Sequence, residues 1–144
     1  MPLINFGSIL NFAETLENEA SALYTKLARQ DACAEIREML EQFTKDIRKN
    51  IQTVQRTRRE NVTEMILEPI KDFTRAPFEL KVDESQFENL DTAKALQIVR
   101  KQAQNADRYY TEAAKKIQAL PEVSRALKTI GKKHAAHLRK LDAV

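Results

Sequence analysis

The sequence predicts an all-α fold, a four-helix bundle made of two helical hairpins joined by a long crossover. Three observations carry that expectation. The 144 residues include only two glycines and four prolines, too few for the many corners of a sheet. Apolar residues recur at spacings of three and four through four separate segments, the period of a helix face. The second half of the chain repeats the pattern of the first at a nearly fixed offset. The length suits one domain, spanning 1–144.

The first helix is expected over roughly 8–30. Ala13, Glu17, Ala20, Tyr24 and Leu27 form its stripe, and Leu16 and Leu23 widen it. Glu17 is a carboxylate set inside that apolar face. The second helix is expected over roughly 32–66, with Asp31 as a candidate N-cap. Its stripe is Ile36, Leu40, Phe43, Ile47, Asn50 and Val54, in which Asn50 is the polar intruder. From about 67 to 91 no period holds, and Pro69 and Pro77 discourage a continuous helix. A crossover of that length is explained if it returns along the bundle, since about 25 helical residues span about 37 Å.

The third helix is expected over roughly 92–119, capped by Asp91. Its stripe of Leu96, Val99, Ala103, Ala106, Tyr110, Ala113, Ile117 and Leu120 contains no charge. Pro121 suits the first turn of the fourth helix, expected over roughly 121–142. That stripe is Val123, Leu127, Ile130, His134, His137 and Leu141, so both histidines of the chain face the core.

Twenty-four Lys and Arg against 21 Asp and Glu leave a net charge of +3, a mixed and solvated surface. The basic run Arg56, Arg58 and Arg59 has no interleaved aromatics, so no nucleic-acid partner is expected. A lone cysteine, Cys33, excludes an internal disulfide and a thiolate zinc site. Near the start of the second helix it is expected as a small buried hydrophobe, with a stabilised thiolate as the alternative. No run of about 18 apolar residues is present, so no membrane-spanning helix is expected. Leu3 and Ile4 follow no positively charged leader, and a cytoplasmic location is the expectation. No nucleotide-binding loop or Ser-His-Asp set occurs.

The repeat sharpens the reading of the polar intruders. Leu23-Tyr24-Thr25 parallels Tyr109-Tyr110-Thr111 at an offset of 86. Leu40, Phe43 and Val54 parallel Leu127, Ile130 and Leu141 at an offset of 87. The same offsets pair Glu17 with Ala103, Ile47 with His134 and Asn50 with His137. Polar residues therefore fall at related levels of related helices.

A di-metal carboxylate centre in a bundle takes one Glu from each of two helices and Glu-x-x-His from each of the other two. At the corresponding levels this chain has Glu17 and Ala103, Ile47-x-x-Asn50 and His134-x-x-His137. Glu17 and His137 are of the expected type. His134 is a substitute able to bind metal. Ile47 and Ala103 carry no donor, and Asn50 is a weak one.

Further stretches carry a family likeness: Glu17-Asn18-Glu19-Ala20 with Leu23-Tyr24, Asp46-Ile47-Arg48-Lys49-Asn50, Glu64-Met65-Ile66-Leu67-Glu68-Pro69-Ile70, and Ile130-Gly131-Lys132-Lys133-His134-Ala135-Ala136-His137-Leu138. On these, over nearly its whole length, the chain resembles the rubrerythrin-related branch of the ferritin-like superfamily. The resemblance implies a ferritin-like bundle, a non-haem di-iron centre acting on peroxide or dioxygen, and a homodimer.

The ligand pattern here implies loss of the di-iron centre. If iron or another divalent metal is held, Glu17, His134 and His137 are the expected ligands of an altered site, with an oxidoreductase or metal-handling role. Without metal, Glu17 is expected to pair with His134 or His137, and the chain reads as a dimeric binding or assembly module. A third reading is a small-ligand carrier using the space vacated at Ile47, Asn50 and Ala103. Tyr24, Tyr109 and Tyr110 are expected to pack the core with a polar tip, with redox chemistry as the alternative.

Overall fold

The computed structural model describes residues 6–61, 70, 73–81 and 83–144. Four long helices form an all-helical bundle: α1 Phe6–Ala28, α2 Arg37–Glu60, α3 Thr92–Lys116 and α4 Pro121–Asp142. The expected extension of the second helix through 62–66, most of the segment Glu64 to Ile70, and Leu3 and Ile4 lie outside the described residues. None of the described helices is long and apolar enough to cross a membrane.

The stripes read from the sequence are the faces that pack. All of their residues are buried except Leu96 and Leu120, which are half-buried. Helix starts and joins follow local chemistry. Asp91 has extended backbone and its carboxylate accepts the Lys94 N–H at 2.7 Å, capping α3. Pro121 lies in the first turn of α4, where its missing N–H costs nothing. Ser124 Oγ donates to Ala114 O at 2.9 Å and ties the end of α3 to the start of α4.

Asp31 does not cap the second helix. Gln30 precedes a 3-10 helix, Asp31–Ile36, without a side-chain cap, and α2 begins at Arg37. The tighter winding turns Cys33 and Ile36 into the core. Arg37 instead closes the end of the preceding helix. Its Nε donates to Ala28 O at 2.6 Å and its Nη2 to Gln30 O at 3.4 Å, satisfying carbonyls at the end of α1.

Each hairpin is antiparallel. In the first, Gln55 pairs with Glu14 while Asn50 pairs with Glu17. In the second, Arg100 pairs with Asp142 while Ser124 meets Ala114. The hairpins dock with α2 on α4 and α1 on α3. Thr92 Oγ1 donates to Ala32 O at 3.0 Å, so α3 starts beside the start of the α2 arm and runs in its direction.

The described part of the crossover, 73–81 and 83–91, runs back along the bundle in the groove between α1 and α3. Among its described residues are two short 3-10 helices, Ala76–Phe78 and Glu84–Phe87. Phe73 stacks on Tyr109 at 5.8 Å and Phe78 meets the same ring edge-on at 5.3 Å. Asn105 Nδ2 donates to Phe78 O at 2.6 Å. Farther on, Lys26 Nζ lies 4.3 Å above the Phe87 ring.

The core divides into two apolar clusters. One holds Leu16, Val54 and Ile130, the other Ala20, Ile47 and Leu141. Each fully buried Leu, Ile or Phe contributes about 1.5–3 kcal/mol. The polar residues Glu17, Asn50 and His134 occupy the level between the clusters.

Candidate functional site

Glu17 sits at the middle of α1 with no solvent exposure. A buried carboxylate is costly unless its oxygens are satisfied, and here both are. Asn50 Nδ2 donates to Oε1 at 2.7 Å. The Tyr110 hydroxyl donates to Oε2 at 3.0 Å. His134 Nε2 lies 2.8 Å from Oε2 and 3.1 Å from Oε1, so this nitrogen carries the proton and donates to the carboxylate. Helices α1, α2, α3 and α4 thus meet on one side chain.

His137 does not join Glu17. Its Nε2 lies 2.9 Å from Asp46 Oδ2, across the α2–α4 interface. Its ring stacks on Phe43 with centroids 3.9 Å apart and planes 15° from parallel. The His134 ring lies 5.8 Å away, edge to face, and stacks in turn on Tyr110. The expected set of Glu17, His134 and His137 is therefore divided into two carboxylate–imidazole pairs.

Burial sets the protonation of this layer. It drives the His137 pKa from 6.5 to about 4, reinforced by His134 and opposed by the Asp46 hydrogen bond. His137 is thus neutral at physiological pH and donates through Nε2. Asp46 is partly desolvated, which raises its pKa, but hydrogen bonds from His137 and Gln42 and the charge of Lys133 hold it below its ordinary value. Burial, with the Glu17 charge added, pushes the Tyr24 and Tyr110 hydroxyls well up, so both stay protonated. Burial also raises the Cys33 thiol against the pull of Arg37. That residue is the small apolar filler, not a thiolate.

The positions lacking donors are filled. Ile47 lies in the apolar cluster with Leu40 and Phe43, and Ala103 has no exposed surface. Among the described residues no three His, Cys, Asp or Glu side chains are grouped as a metal ion requires. The residues do not fit a di-metal carboxylate centre: protein donors engage both Glu17 oxygens, and Asn50 turns its NH2, not its carbonyl, toward that carboxylate. Within this layer three buried polar atoms have no hydrogen-bond partner among the described residues: Tyr24 OH, His134 Nδ1 and His137 Nδ1.

No family model, no curated protein and no solved structure matches the chain.

Two members of the layer escaped the sequence reading. Asp46 stands one residue from Ile47, three after Phe43, so it reaches the same face of α2. Tyr110 was read as packing, yet its hydroxyl completes the Glu17 site. The i, i+3 spacing of Phe43 and Asp46 was the available signal for the first. The offset-86 match to Tyr24 gave no hint of the second.

Proposed function

We propose that this chain is a metal-free member of the rubrerythrin-related, ferritin-like class, a helical binding or assembly module and not a di-iron oxidoreductase. The observation that carries the reading is the saturation of Glu17 by Asn50, Tyr110 and His134. A carboxylate whose oxygens are engaged by three protein donors is a structural hub, and a metal would have to break those bonds. The arrangement of two antiparallel hairpins, with α2 and α3 in the same direction and one long connection between them, supports the ferritin-like class.

Elemental analysis tests this. Protein purified without chelator is expected to contain far less than one iron, manganese or zinc per chain. Its melting temperature is expected to stay unchanged on adding ferrous, manganous or zinc salts. A stoichiometric metal that disappears in His137→Ala would overturn the proposal. Light scattering of the same sample tests assembly into a homodimer.

A second reading is favoured by the unpaired Nδ1 atoms of His134 and His137. Metal-bound histidines commonly donate their other ring N–H to a carboxylate, and both imidazoles here face one. In this reading the two imidazoles hold a divalent ion such as zinc or iron, which supplies a Lewis acid when bound. The same elemental analysis decides between the readings.

A further inference from the structure

The most informative feature outside the central layer is a groove of about 470 Å³ where the crossover passes over α1 and α3. Its volume is in the range of small-molecule sites, about 300–1,000 Å³. Leu23, Leu80 and Ile98 supply an apolar surface, Lys81 and Lys101 border it, and no carboxylate among the described residues lines it. Gln102 also lines it. That residue is only 2 % exposed, yet its amide has no hydrogen-bond partner among the described residues. The amide therefore reaches the groove, where a polar group of a ligand can pair with it. A second cleft of about 350 Å³ continues the first over Leu23, Leu80 and Gln102 to Phe87. Glu19 and Lys26, of opposite charge, border that continuation, so it carries no net attraction for an anion.

We propose that this groove binds an amphiphilic organic anion, a medium-chain carboxylate whose head lies by Lys81, Lys101 and the Gln102 amide and whose tail lies along Leu23, Leu80 and Phe87. The amide N–H donates to a carboxylate oxygen, and the two ammonium groups balance its charge. The apolar run takes the chain out of water. This site is independent of what the bundle centre holds.

Calorimetric titration of the full chain with sodium decanoate tests the assignment. One saturable site with a dissociation constant below about 1 mM is expected. Decanol and inorganic phosphate, each holding half of the required chemistry, are expected to bind at least about tenfold more weakly. Gln102→Leu, and separately the double variant Lys81→Glu, Lys101→Glu, are each expected to weaken decanoate about tenfold or more, the loss of a charge-assisted bond. Thermal melts of both variants check that the fold persists. Absence of saturation, equal binding of decanol, or unchanged affinity in the surface lysine variant would each overturn the proposal.

Discussion

Phe43 and His137 stack face to face across the α2–α4 interface, with ring centroids 3.9 Å apart. The contact leaves the imidazole no room for solvent, and the ring is 1 % exposed. It also makes the stability of the bundle depend on pH. The folded pKa of His137, about 4, lies below its ordinary 6.5. Between those values the unfolded chain binds a proton at this residue that the folded chain does not.

Stability is therefore expected to rise with pH through that window and to level off above it. The loss on acidification is about 3 kcal/mol. The lowered Asp46 pKa acts in the same direction at lower pH, because its contribution is lost as that carboxyl is protonated. Urea unfolding at about pH 7 and about pH 4.5 measures the effect. His137→Gln should flatten the slope, and a wild-type profile flat across the window would contradict the assignment.

Glu17→Ala should cost about 3–5 kcal/mol, because it strands Asn50, Tyr110 and His134 without their shared acceptor. Chemical denaturation of the metal-free protein reads this directly. A loss below about 1 kcal/mol would mean that the carboxylate is not the hub described here.

Tyr24 and Tyr110 are equivalent in the repeat and fully buried, yet they should respond oppositely to loss of the hydroxyl. Tyr24 OH has no partner among the described residues, so Tyr24→Phe is expected to stabilise by about 1 kcal/mol. Tyr110 OH serves Glu17, so Tyr110→Phe is expected to destabilise by about 1–2 kcal/mol. Parallel thermal melts settle the sign of each.

Gly131→Ala should destabilise, although alanine is ordinarily the better helix former by about 1 kcal/mol. An added Cβ would meet Tyr110 Cβ at 3.0 Å. That atom cannot yield, since the Tyr110 ring is held by His134 on one side and its hydroxyl by Glu17. Overpacking of this kind costs about 1–3 kcal/mol. An unfolding midpoint above that of the wild type would show that α3 and α4 can separate at no cost.

The helices were legible because their buried stripes obey one period from end to end. Asp91 and Pro121 marked their starts because capping is local chemistry. Asp31 misled because a carboxylate before an apolar run looks the same whether a 3-10 or an α-helix follows. The crossover was opaque for a different reason. Phe73 and Phe78 pack on Tyr109 through short turns, and no repeat relates them. Gln102 and Asn105 lie beside the α3 stripe, where no apolar pattern marks them as buried, yet both are, and Asn105 donates to Phe78 O of the crossover. At the centre, Glu17 and His134 were visible as polar intruders. Which carboxylate each imidazole faces depended on the docking of the hairpins, which spacing within one helix does not encode.

The doubled hairpin is chemically lopsided at its centre. The first half holds Glu17 and Asp46, the second His134 and His137. The two halves share one apolar pattern, so apolar shape alone does not distinguish like from unlike pairing. A first hairpin set against another first hairpin would bury acid against acid with no base to receive it. A second hairpin set against its twin would bury four imidazoles without an acceptor. Only the unlike pair brings each acid to a base, as Glu17 meets His134 and Asp46 meets His137.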